Sequence, residues 1–148
     1  MTAAGGLDCW LYVSLGTLPA DRLEAEVQDI VAISRAWNAD HGLSGALMAT
    51  ATHFAQWLEG PPDEVAWIRA RISADPRHRE LIALGEGPIA ARRFADWSLA
   101  YAGGNRAFDD MAASLRAMRP ANARILLAEM LARFTDGQQR RQRTGEGG

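Results

Sequence analysis

The stretch "LSGALMATATHFAQWLEGPP", residues 43–62, decides how the chain folds. It holds two apolar runs, "LSGALMAT" and "HFAQWLEG", separated only by a tight turn around Ala51 and Thr52. Runs of this length, closed by turn residues, read as β-strands. Pro61 and Pro62 follow, and proline suits the first turn of a helix because its φ is already helical. One residue breaks the apolar pattern: Gln56 sits among Phe54, Trp57 and Leu58. A buried amide left unpaired costs about 1–3 kcal/mol. The strand therefore needs a polar partner for Gln56.

Upstream, "DCWLYVSLG" (8–16) reads as a strand closed by Gly16. "TLPADRLEAEVQDIVAISRAWNADHG" (17–42) reads as a helix. Asp21 and Glu24 have the spacing of a capping box. Leu23, Val27, Ile30, Val31 and Ser34 share one helix face, and Gly42 ends it. Downstream, "DEVAWIRARISAD" (63–75) is a second helix with Val65, Ile68 and Ile72 as its apolar stripe, ended by Pro76. "LIALGEGPI" (81–89) and "FADWSLAYA" (94–102) read as two more strands.

The order β-α-β-β-α-β-β predicts a ferredoxin-like α+β fold, with two helices on one face of a mixed sheet. The right-handed crossover predicts parallel, neighbouring first and second strands. The ferredoxin-like arrangement also makes the first and third strands neighbours in the middle of the sheet. Two further helices follow, "RAFDDMAASLRAM" (106–118) and "ANARILLAEMLARF" (121–134), divided by Pro120. Ile125, Leu127, Met130, Leu131 and Phe134 give the last one an apolar face, which must bury against the open side of the sheet or another subunit. The expected divisions are a domain at 1–103, a helical extension at 104–136 and a disordered polar tail at 137–148.

Composition excludes several classes. A chain of 148 residues, 48% hydrophobic and 23% charged, is an ordinary soluble domain with a real core. A net charge of −2 gives no pull toward nucleic acid or an anionic membrane. Cys9, the single cysteine, rules out an internal disulfide and reads as a small core residue. No signal sequence and no membrane span is visible, so a cytoplasmic location is expected. His41, His53 and His78 lack metal-ligand spacing. Gly85-x-Gly87 opens no helix and is no dinucleotide loop. Glu59 reads as a strand-end carboxylate, and "RRQR" in the tail as a solvated end. Arg77 to Arg79 read as either an exposed loop or an anion site.

Three polar residues remain. Tyr12 is central in the first strand, Asn38 is late in the first helix, and Gln56 is in the third strand. The ferredoxin-like arrangement lets them converge between helix and sheet. An amide offers both donors and acceptors, which suits a heterocycle with alternating C=O and N–H groups.

With "YVS" (12–14), "WNADHGLSGAL" (37–47), "FAQWLEGPPDEV" (54–65), "RISADPRHR" (71–79) and "EGPIAARRFADWSL" (86–99) in register, the chain resembles the BLUF domain, a blue-light sensor that uses flavin. The resemblance runs from about residue 9 to 101. It implies that Tyr12 is the photoactive tyrosine, Gln56 the switching glutamine and Asn38 the residue that holds the flavin ring. It implies that Ser34 lines the pocket, and that Arg77 and His78 lie near the ribityl-phosphate end. Trp97 matches a tryptophan near the chromophore. Leu99 stands where the family usually has a methionine, and Trp37 where it often has histidine or asparagine. Ala49 and Ala55 are smaller than is usual there. The implied cofactor is FAD, with FMN and riboflavin open. The implied function is a non-enzymatic photoreceptor that signals through a downstream partner protein, without nucleic acid or membrane, as a homo-oligomer. The competing reading is a flavin-free ferredoxin-like interaction module.

Overall fold

A computed structural model describes residues 6–103 and 106–146. Residues 1–5, the 104–105 junction of the first two expected divisions, and the last two of the expected tail lie outside the described residues.

The elements run β1 (Leu7–Gly16), α1 (Ala20–His41), β2 (Ser44–Ala49), β3 (His53–Gly60), α2 (Pro62–Ser73), β4 (His78–Ile89), β5 (Ala100–Gly103), α3 (Arg106–Ala117) and α4 (Pro120–Glu146). They build one five-stranded sheet in the order β4-β1-β3-β2-β5. β1 and β3 are antiparallel neighbours in its middle, as expected. β1 and β2 are not neighbours. β3 turns back from β2 and pairs between them, taking the hydrogen-bonding edge that the crossover leaves open.

Alternation along the strands gives the sheet two apolar faces. Trp10, Tyr12, Leu47 and Leu58 belong to a buried cluster with Val27 and Val31 of α1 and Val65 of α2. Cys9, Leu11, Val13 and Met48 belong to the opposite cluster, which Leu115, Leu127 and Leu131 of the C-terminal helices cover. The last helix thus buries against the open side of the sheet. Ile125, expected on its apolar face, is instead 61% exposed, while Ala123 and Ala128 take buried positions and let α4 approach closely.

Four local readings change. α1 starts after Pro19 with no side-chain cap, so Asp21 and Glu24 form no capping box. β4 begins at His78, three residues before the expected strand. The expected strand at 94–102 is extended only from Ala100, because Phe94 accepts a turn bond from the Trp97 N–H (3.0 Å). α4 passes through Gly137 to Glu146, where a disordered tail was expected. Glutamine and arginine are good helix formers, and Gly137 and Gly145 each cost only about 1 kcal/mol. No helix among the described residues is long and apolar enough to cross a membrane.

Close packing sets the strand end beside the site. Gly45 admits no side chain, since a Cβ there would lie 2.1 Å from the Trp57 carbonyl oxygen. Glu59 is wholly buried and accepts four hydrogen bonds. The donors are the Ser44 hydroxyl (2.8 Å), Trp57 Nε1 (2.9 Å) and the backbone N–H groups of Arg93 and Phe94 (both 2.7 Å). Arg92 in turn donates to Ser44 Oγ (2.8 Å) and to the Gly42 carbonyl (2.6 Å). This carboxylate pins the 92–94 loop to the end of β3, and so fixes where residues 97–99 cross the sheet.

Glu59→Gln places an NH2 group against donors. It should destabilise the chain by about 1–3 kcal/mol in a denaturant melt. Glu86→Gln, which loses only an exposed pair with Arg69, should cost no more than about 1 kcal/mol.

Candidate functional site: a cavity between sheet and helices

A cavity of about 830 Å³ opens between α1, α2 and the sheet. Tyr12, Ser34, Asn38, Gln56, Arg77 and His78 all line it. Its remaining wall is largely aliphatic, including Ile30, Leu47, Leu58, Ile68 and Ile72.

The polar centre follows from strand register. Tyr12 and Gln56 are direct cross-strand partners on β1 and β3, so their side chains leave the same face at close range. The Tyr12 hydroxyl donates to Gln56 Oε1 at 2.6 Å. This bond occupies the amide oxygen and leaves the NH2 of Gln56 as the donor for the cavity. On β4, the pairing shifts register between Leu11 and Tyr12, a bulge that sits directly beside this bond. Burial pushes the Tyr12 phenol well above its usual range, with the Asp75 carboxylate adding to the shift.

Asn38 comes from the last turns of α1 and is buried. Its Nδ2 donates to the Ser98 carbonyl at 2.8 Å, which leaves Oδ1 as an acceptor toward the cavity. One turn earlier, Arg35 Nε donates to the Leu99 carbonyl at 2.9 Å. Helix α1 therefore grips the segment before β5 with the same residue that faces the cavity.

The far end is built by the turn into β4. Thr17 N–H donates to the Arg77 carbonyl (2.9 Å), tying this turn to the end of β1. His78 Nε2 donates to the Ile72 carbonyl (2.6 Å), so Nδ1 is left to pair with Ser14 Oγ (2.7 Å). The Arg77 guanidinium is engaged: Nη2 donates to Asp75 at 2.6 Å, and Glu26 lies 3.9 Å away. The Arg77 hydrogen bond holds the Asp75 carboxyl below the usual carboxylate range.

Two expected site residues stand apart. Trp97 and Leu99 do not line the cavity. In a regular strand, residues 97, 99 and 101 would share one face. The backbone is irregular at 97–99, so Trp97 packs against the cluster under α3 and α4. Leu99 is buried in the cluster that holds Tyr12 and Leu47. Sequence reasoning missed Trp67 and Arg71 as lining residues. Helix periodicity gave no signal for them, because Trp67 lies off the Val65–Ile68–Ile72 stripe of α2 and is 41% exposed.

The chain matches the family model described as BLUF, sensors of blue light using FAD, over residues 7–100. It is 33% identical over 89 residues to photoactivated adenylate cyclase subunit beta of Euglena gracilis, which covers 60% of this chain and 10% of the cyclase subunit. It thus spans about a tenth of that relative's length. Among solved structures, the dark state of the BLUF protein BlrB matches with 30% identity and a TM-score of 0.71, covering 90% of this chain and 98% of the other. Klebsiella pneumoniae BlrP1 with FMN and cyclic diGMP matches with 27% identity and a TM-score of 0.60, covering 66% of this chain and 26% of the other.

The chain belongs to the BLUF family of blue-light flavin sensors.

The folded state keeps the Tyr12 phenol protonated where an unfolded chain would lose the proton. Stability should be fully present below the ordinary tyrosine value of about 10 and fall as pH rises past it. Denaturant melts across that range should show this loss, and Tyr12→Phe should reduce its steepness.

Proposed function

We propose that the cavity holds oxidised flavin, that Tyr12 and Gln56 form its light switch, and that α1 passes the change to the C-terminal helices. The observation that carries this reading is the 2.6 Å bond from Tyr12 to Gln56 at the edge of an apolar slot. The residues present suit the ligand. Aliphatic walls suit a flat ring system. The Gln56 NH2 and Asn38 Oδ1 offer a donor and an acceptor to a ring edge that alternates C=O and N–H.

Bound flavin supplies, on absorbing blue light, a strong one-electron oxidant. Tyr12 is an oxidisable phenol with a ready proton acceptor. With flavin bound it would be the residue to give up an electron, and its proton would pass along the 2.6 Å bond to Gln56 Oε1. Burial holds that proton firmly in the ground state, so proton loss follows oxidation rather than preceding it. Gln56 then rearranges its amide, by rotation or tautomerisation. Once Tyr12 regained both its electron and a proton from Gln56, the rearranged amide would be placed to give a ring carbonyl a stronger hydrogen bond, a change that a red shift in absorption would report.

Asn38 and Arg35 hold the Ser98 and Leu99 carbonyls. A change in ring hydrogen bonding at Asn38 therefore acts on the segment that enters β5. The phosphate end fits the Arg77–His78 turn, where a phosphate would compete with Asp75 for the Arg77 guanidinium. FAD is the cofactor the family description supports, while the similar BlrP1 structure is one with FMN. Output is a light-dependent contact with another protein, not catalysis by this chain, and the receptor works as a homo-oligomer.

Gln56→Leu should keep bound flavin and lose the light-induced red shift, read by absorption before and after blue light. Tyr12→Phe should likewise keep flavin and lose the shift. A normal shift in either variant would refute the role given to that residue.

A further inference from the structure

Where α1 and α2 face each other across the cavity, they carry an aromatic stack that the switch does not use. His41 lies on Trp37 with ring centroids 3.6 Å apart and planes 11° from parallel. Trp37 lies on Trp67 at 4.4 Å and 13°. The Arg71 guanidinium carbon is 4.8 Å from the centroid of the Trp67 ring. Trp37 and Trp67 line the same cavity as Tyr12 and Gln56. Trp10 and Trp97 do not.

We infer that Trp37 and Trp67 form a second electron-donor site, which competes with Tyr12 for light-excited flavin and returns its electron without throwing the switch. This rests on the flavin site proposed above.

Indole, like phenol, is readily oxidised, and parallel stacking lets the resulting positive charge spread over two rings. Arg71 lies against Trp67, and its cation disfavours positive charge there. The hole therefore settles on Trp37. One electron leaves the indole for the excited flavin, and an indole radical cation remains.

The difference from Tyr12 is the proton. The Tyr12 hydroxyl has Gln56 Oε1 as an acceptor at 2.6 Å. The Trp37 indole N–H is buried and has no hydrogen-bond partner among the described residues. His41 lies flat on the ring, and its Nδ1 pairs with the Trp37 carbonyl at 2.8 Å. Arg71 carries no acceptor. The proton stays on Trp37, the electron returns, and both rings regain their starting state. Gln56 receives no proton and keeps its orientation. Light spent on this branch is lost to signalling.

The test uses the full chain loaded with FAD and reads the fluorescence lifetime of the flavin. In Tyr12→Phe the lifetime should stay short. In Tyr12→Phe combined with Trp37→Phe and Trp67→Phe it should lengthen several-fold, since phenylalanine keeps the packing and cannot donate. With Tyr12 intact, Trp37→Phe/Trp67→Phe should raise the yield of the red-shifted state per absorbed photon. Equal lifetimes in the single and triple variants overturn the donor assignment alone. A chain that binds no flavin overturns the site itself and this inference with it.

Discussion

The hydrogen bond between Tyr12 and Gln56 depends on one alignment, the antiparallel register of β1 and β3. Register in a half-buried sheet is strict, because a slip of one residue exchanges the two faces. Here the slip would move Tyr12 into the cluster under α3 and α4 and leave the cavity without its polar centre. Both faces are buried, so both clusters resist it. The proposed switch would therefore have a rigid base, with its moving part confined to an amide side chain.

The rest of the architecture positions what that amide can influence. Glu59 draws the 92–94 loop onto the end of β3, and Arg92 ties the same corner to Gly42 at the end of α1. Asn38 and Arg35 then hold the carbonyls of Ser98 and Leu99. The segment entering β5 is thus clamped from the sheet on one side and from α1 on the other. β5 lies beside β2 at the sheet edge, and α4 packs across the opposite face. A change at Asn38 has a short physical route to the helices that a partner could contact.

Much of this was legible in the sequence. Two apolar runs with a two-residue gap defined β2 and β3, and a lone amide among large apolar residues showed that a polar partner had to be near. Tyr12, Asn38 and Gln56 do converge on one cavity, with Ser34, Arg77 and His78 around it. Other features depend on tertiary contacts that local pattern does not encode. A strand period carried through residues 94–102 placed Trp97 and Leu99 on one face, but the Phe94–Trp97 turn separates them. Asp21 and Glu24 had the spacing of a capping box, yet Pro19 sets where α1 begins. Ile125 had the right spacing for the core, whereas close approach of α4 is achieved through Ala123 and Ala128. The Trp37–Trp67 stack joins two helices far apart in the chain, and no local periodicity points to it.

In the proposed mechanism, Gln56 exchanges hydrogen bonds between Tyr12 and a flavin carbonyl when light is absorbed. Light-minus-dark infrared spectroscopy of the flavin-loaded chain, with and without isotope-labelled glutamine, tests it most directly. A ring carbonyl band should move to lower frequency, and a glutamine side-chain band should change and shift with the label. An unchanged ring carbonyl, or a difference spectrum insensitive to the glutamine label, would contradict the claim.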